Sequence, residues 1–178
     1  MSKKVLILSG SPRKGGNSDI LCDEFLRGAR EAGHQVEKVR PTEKKIAPCL
    51  GCYYCASHGG ECVRRDDMAD LLQQMIDADV IVLASPVYFY SINAQLKAVI
   101  DRFYANNEAL IGKKKAVFLT AMADEDQKTA SGANASFDLM ADYLGWEIVG
   151  RLNVGGCSTA DDLHEEDLTA AYELGKNL

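Results

Sequence analysis

At 178 residues the chain is long enough for one hydrophobic core of ordinary size, and 47 % hydrophobic against 26 % charged residues is the balance of a water-soluble globular domain. Its 20 Lys and Arg against 26 Asp and Glu leave a net charge of −6 with both signs scattered, so no basic surface is offered and neither nucleic acid nor a membrane is expected as a partner. The apolar run before Ser9 is only four residues, too short for a secretory leader or a membrane span. A cytoplasmic protein is therefore expected, in which clustered cysteines lean toward metal or redox chemistry.

The first predicted element is a strand over residues 4–9, "KVLILS", nearly all apolar and stopped by Gly10 and Pro12, as a strand buried on both faces should be. Asn17 or Ser18 opens a helix to about residue 32, with Ile20, Leu21, Phe25 and Leu26 on one face and Gly33 ending it. A short strand over 36–39 follows, then a cysteine-bearing loop, then a helix from Asp66 or Asp67 carrying Met68, Leu71, Leu72, Met75 and Ile76. Residues 80–84, "VIVLA", form the next buried strand, and 85–92, "SPVYFYSI", read as a loop with Asn93 capping a helix over 94–104. A strand over 116–120, a polar loop over 121–131, a helix over 133–144 closed by Gly145, a strand over 146–154 and a helix over 162–176 complete the chain.

Buried strands alternating with amphipathic helices, with no linker or repeat, predict an α/β fold: a doubly wound five-stranded parallel sheet of order 2-1-3-4-5 between two helical layers, the whole of 1–178 forming one domain. Ligands of such sheets lie beyond the carboxyl ends of the strands, so loops 9–18, 85–92 and 120–131 should converge.

The first of these, "SGSPRKGGNS", joins a buried strand to a helix start and carries glycines, hydroxyls, two cations and an Asn, which suits an anion held by amide groups. Gly16–Asn17 stands where a Walker loop needs Lys–Ser/Thr, and Pro12 where a dinucleotide fingerprint needs Gly; a monophosphate fits better. The second strand ends in Arg40–Pro41 rather than in an acid for a ribose hydroxyl. Loop 85–92 sets Tyr88, Phe89 and Tyr90 where they either face a flat conjugated ligand or pack against a neighbouring subunit.

The segments "ILSGSPRKGGNSD", "PCLGCYYC", "CVRRDDM", "ADVIVLASPVYFYSINAQLKAVIDRF" and "YLGWEIVG", spread over residues 3–155, resemble the NAD(P)H-dependent FMN reductase group of flavodoxin-like proteins, and within it the iron-sulfur flavoprotein branch. That resemblance implies FMN, its phosphate among Ser11, Arg13, Asn17 and Ser18 and its ring against Pro86, Val87, Tyr88, Phe89, Tyr90 and Ser91, with Thr120 and Ala121 on a third wall and Asp124–Asp126 near the entrance. It also implies NAD(P)H as co-substrate, a small electron acceptor such as a quinone or a flavin, and a homodimer or homotetramer. The cofactor carries the chemistry in such proteins, so no side chain is assigned as a catalytic group. Rival expectations are a flavodoxin-like electron carrier and a thiol or metal sensor.

Cys49, Cys52, Cys55 and Cys62 follow C-x2-C-x2-C-x6-C, a spacing that ferredoxin-type runs use for a 4Fe-4S cluster and that matches the compact motif of the resembled branch. Zinc more often joins two separated cysteine pairs. The same run also serves plain thiols or a disulfide, with Cys49 and Cys52 buried and Gly51 turning the loop, and the spacing leaves both readings open. With a cluster, the partner would be a redox protein such as a ferredoxin rather than a small molecule. Cys22 is expected in the core; Cys157, after Gly155–Gly156, is left unassigned, a surface thiol being one option.

Overall fold

A computed structural model describes residues 1–178. Five parallel strands, β1 (Lys4–Ser9), β2 (Gln35–Val39), β3 (Val80–Tyr88), β5 (Lys115–Ala121) and β6 (Glu147–Val154), lie in the order β2-β1-β3-β5-β6, and β4 (Ser91–Ile92) pairs antiparallel with the end of β3. With the two-residue β4 set aside, this is the expected 2-1-3-4-5. Helices α1 (Asn17–Glu31) and α7 (Glu165–Lys176) cover one face; α3 (Met68–Asp77), α4 (Ala94–Ile100) and α6 (Ser131–Leu144) cover the other. The single turns α2 (Tyr54–Ser57) and α5 (Asn107–Leu110) lie in connections.

The period-two alternation of each central strand divides the core. Val5, Ile7, Val80, Val82, Val117 and Leu119 meet Leu21, Phe25 and Ala29 of α1 and Ala171 of α7. Their neighbours Leu6, Leu8, Ile81, Leu83 and Phe118 meet Leu71, Met75, Leu96 and Phe137, with Phe118 stacked on Phe137 at 4.7 Å between ring centres. Both faces of β1, β3 and β5 are therefore apolar, which is why their sequences read as unbroken runs. Within their own layer α1 and α7 touch through backbone: a Cβ built on Gly28 would sit 2.0 Å from the Tyr172 carbonyl oxygen, and one on Gly175 would sit 2.1 Å from that of Phe25.

Four helix boundaries differ from the sequence expectation, each for a local reason. The helix expected over 94–104 ends at Ile100 and rewinds as a 3-10 turn, Phe103–Asn106, so that the adjacent side chains of Arg102 and Phe103 both turn inward. α3 starts at Met68 because the Asp66 carboxylate accepts from the Ala47 and Met68 amides ahead of it. α6 starts at Ser131, after a 3-10 turn, Gln127–Ala130, that is capped when Asp126 accepts from the Lys128 amide. α7 starts at Glu165, where the Asp167 carboxylate accepts from the His164 amide in a capping box.

Candidate functional site

At the carboxyl ends of the strands, four connections enclose a cleft of about 220 Å³. Ser11, Arg13, Asn17 and Ser18 come from the loop after β1, Pro86, Val87 and Tyr88 from the end of β3, and Ala121, Met122 and Ala123 from the end of β5. The fourth wall, Cys157 and Ser158 after β6, was absent from the sequence reading. Gly155–Gly156 marks that turn, and the rule that ligands gather where strands end covers the last strand as well.

The loop after β1 is built to present donors. The amides of Asn17 and Ser18, the first two of the 15-residue α1, donate to no backbone carbonyl, so the positive end of the helix opens on the cleft. Asn17 donates through Nδ2 to the Cys157 carbonyl at 2.9 Å, while its Oδ1 is buried without a partner. Arg13 reaches across to donate to the Ser158 carbonyl at 3.2 Å, and its own amide donates to the Ser11 hydroxyl at 3.2 Å. Cys157 is buried between the ends of β5 and β6 with its sulfur 3.5 Å from the Met122 carbonyl, and burial pushes its thiol pKa up. The loop after β6 folds back to close the cleft, so Cys157, unassigned from the sequence, is not a surface thiol. Cys22 lies in the core as expected, its thiol pushed up to about 12 by burial.

Beneath the loop lies a charged brace that sequence reading missed. The Asp19 side chain, 4 % exposed, accepts from the Ser9 hydroxyl at 2.6 Å and the Gly15 amide at 2.9 Å, and lies 2.9 Å from the Lys38 ammonium and 2.7 Å from the Arg40 guanidinium. Burial alone would raise its pKa, but the Ser9 and Gly15 hydrogen bonds and Lys38 outweigh burial and hold it at about 2. Arg40 donates further to the Ser11 carbonyl at 3.3 Å. Arg40, which stands where a ribose-binding acid would be expected, thus supports the anion loop from below.

The second wall is a strand rather than a loop: β3 runs on through Ser85 and Pro86 to Tyr88, and Tyr88 pairs with Ser91. Ser85 breaks the apolar pattern, yet its hydroxyl is satisfied by Asn93, donating to Oδ1 at 2.9 Å and accepting from the Asn93 amide at 3.0 Å. Asn93 sits at the N-cap of α4, but its side chain caps nothing. Instead it donates to the Gly10 carbonyl at 2.6 Å and so ties the first wall to the second.

Phe89 and Tyr90 form the tip of this hairpin with φ of 47° and 64°, as a type I′ turn requires. Phe89 is 99 % exposed, and neither tip residue nor Ser91 lines the cleft. Thr120 lies inside the sheet, its hydroxyl donating to Asn153 Oδ1 at 2.7 Å, and its neighbour Ala121 takes the lining position. Asp124 accepts from Thr129 at 2.7 Å and from the Asp126 amide at 3.0 Å, which folds the acidic run onto itself. Side chains rarely adopt positive φ without strain, so Phe89→Asn with Tyr90→Gly is expected to raise stability by about 2 kcal/mol, measured by urea unfolding. Equal or lower stability would mean that the aromatic pair is held by packing.

A family model for NADPH-dependent FMN reductase matches residues 3–156. The chain belongs to that family. FMN is accordingly the reductase's cofactor and NAD(P)H its co-substrate. An iron-sulfur flavoprotein of Archaeoglobus fulgidus is 35 % identical over 98 % of the reductase and 78 % of its own length. An iron-sulfur flavoprotein of Methanocaldococcus jannaschii is 42 % identical, over 56 % of the reductase and 51 % of its own length. Among solved structures, an NAD(P)H:quinone oxidoreductase from Methanothermobacter marburgensis superposes with a TM-score of 0.80 over 99 % of this chain and 96 % of that one, at 21 % identity, a likeness of fold.

The cysteine segment of the reductase lies apart from the cleft. Cys49, Cys52, Cys55 and Cys62 line one mainly apolar cavity of about 430 Å³ together with Tyr53, Val63 and Tyr104. All four are free thiols; Cys49 and Cys52 are exposed, contrary to the expectation that a thiol-only loop buries them, because Gly51 with φ 64° turns the chain outward between them. No three His, Cys, Asp or Glu side chains are gathered tightly enough to hold a single metal ion. Four thiols around a cavity, rather than on one point, suit a larger thiolate-bound group.

Proposed function

We propose that the cleft after β1, β3, β5 and β6 is the FMN site, and that residues 1–178 form one flavin-binding unit. In this reading the protein takes electrons from NADH or NADPH and passes them through the flavin to a small acceptor, quinone-like or itself a flavin. The observation that carries this reading is the pair of unpartnered amides of Asn17 and Ser18 opening on a cleft that Arg13 and Ser11 also line. Those groups suit a phosphate dianion. The orphaned Oδ1 of Asn17 suits a ligand hydroxyl, which a ribityl chain supplies. Pro86, Val87, Met122 and Ala123 give an apolar wall for a flat ring.

Bound FMN supplies hydride acceptance from the nicotinamide and electron release to the acceptor. The chain's own contribution is to anchor the phosphate, keep the ring edge between β3 and the loop after β5, and exclude water with apolar side chains. Phe89, Tyr90 and Ser91 then stand at the rim, where a nicotinamide, an acceptor or a second subunit approaches; assembly as a homodimer or homotetramer belongs to this proposal, as does a cytoplasmic location. No helix is long and apolar enough to cross a membrane. Arg13→Ala with Ser18→Ala is expected to weaken FMN binding roughly 10- to 100-fold, read by flavin fluorescence titration, with the unfolding midpoint unchanged. Unchanged affinity would remove the phosphate from this loop.

A second reading is favoured by the four thiols around one cavity and by the iron-sulfur flavoproteins among the relatives. Here Cys49, Cys52, Cys55 and Cys62 hold a 4Fe-4S cluster, which supplies single-electron exchange, and the partner is a redox protein. Anaerobic purification with iron, acid-labile sulfide and visible spectra decides between the two. Flavin bands without iron would leave the small-acceptor reading alone.

A further inference from the structure

The short helix α4 has an attachment at each end. Before it, Asn93 joins two walls of the flavin cleft. After it stands Arg102, whose side chain is 2 % exposed and whose guanidinium reaches both Asp66 oxygens, at 2.7 and 2.5 Å, and donates to the Ala47 carbonyl at 3.2 Å. Asp66 in turn accepts from the Ala47 amide at 3.0 Å. Ala47 is the last residue before the cysteine-bearing segment 48–65 and Asp66 the first after it, so one guanidinium holds both ends. Beside it the Asp67 amide donates to the Lys45 carbonyl at 3.1 Å, and the Lys45 amide to the Asp67 carboxylate at 2.7 Å.

Burial opposes the Arg102 charge, but Asp66, with a smaller effect from Cys62, outweighs it and holds the guanidinium above its ordinary range. Arg102 and Cys62 line one cavity, and Cys62 also lines the cavity of the other three cysteines. A buried ion pair contributes little more to stability than apolar residues of the same size would. What the guanidinium adds is direction: its Nη1, which makes all three contacts while the buried Nε has no partner, joins a carboxylate and a carbonyl from two segments of the chain.

We propose that Arg102 is the positioning residue of the four-cysteine segment, clamping its two ends to the far end of α4 so that the four thiols face one cavity. The purpose assigned to this clamp, preparing the thiols for a cluster, rests on the second reading above; the clamp itself does not.

The test compares the FMN-bound wild type with Arg102→Met, Arg102→Lys and, because Met alone leaves Asp66 unpaired, the double variant Asp66→Asn/Arg102→Met. Iodoacetamide labelling of the cluster-free proteins is followed cysteine by cysteine, with iron and sulfide per FMN measured after anaerobic reconstitution. Loss of the clamp is expected to speed labelling of the half-buried Cys55 and Cys62 about tenfold and lower iron per FMN, while FMN content holds and Lys restores part of the protection. If wild type takes up no iron yet the variants still label faster, the cluster reading fails and the positioning role stands. Labelling rates equal to wild type in both the Met and the double variant, or FMN lost in step with protection, would overturn the proposal.

Discussion

Asp19→Asn is expected to cost about 3–5 kcal/mol of stability and to strip the protein of FMN at concentrations that saturate the wild type. The substitution leaves Lys38 and Arg40 facing an uncharged amide in a site where Asp19 is 4 % exposed, and it replaces one acceptor oxygen with a donor that meets either the Ser9 hydroxyl or the Gly15 amide. Urea unfolding of the flavin-free protein checks the stability term and fluorescence titration checks the binding. A loss under about 1 kcal/mol would show that Asp23, 2.6 Å from Lys38, and Glu43, 3.0 Å from Arg40, suffice for the two cations.

The same group sets an acid limit with a definite sign. Its folded pKa lies at about 2, below the ordinary 3.8, so its contribution is complete above the ordinary value and is lost as pH falls from about 4 toward 2. The gap corresponds to roughly 2 kcal/mol. Wild-type stability should fall across that window by this amount more than that of Asp19→Asn, which has no proton to gain there.

Gly28→Ala and Gly175→Ala should each cost about 3 kcal/mol or more, measured by the urea midpoint of the flavin-free protein. On an open helix face the same exchange adds about 1 kcal/mol, because alanine loses less backbone entropy. Here the sign reverses: the added methyl meets a backbone oxygen at 2.0 Å in one case and 2.1 Å in the other, and neither α1 nor α7 can give way without leaving the sheet. The two sites lie on one contact, so the double variant should cost less than the sum. A gain in stability from either would mean that the helices stand further apart.

The central strands were legible because both of their faces are buried, and "KVLILS", "VIVLA" and "AVFLT" are apolar without alternation. Their order followed from the alternation with helices, and the convergence of the loops from the order. Less visible was whatever depends on a partner far along the chain. Ser85 and Pro86 read as a loop that stops the strand at Ala84, since nothing local shows that Asn93 will satisfy the Ser85 hydroxyl. Asp19 reads as an ordinary first-turn acid; Lys38 and Arg40, which make it a brace, come from the far end of β2. Gly28 reads as a weak point in α1 until α7 lies against it. The cysteine spacing was plain, but a spacing does not say which way four sulfurs face.

The join between Lys45 and Asp67 has an evolutionary corollary. The excursion begins and ends at the paired residues Lys45 and Asp67, and the parallel sheet is completed by other parts of the chain, while only Cys55 and Cys62 among its sulfurs pack back on the core. On the proposed reading, such an outgrowth can change its length or its sulfur content at one point of attachment while the walls of the cleft stay in place, so electron outlets can be exchanged by grafting.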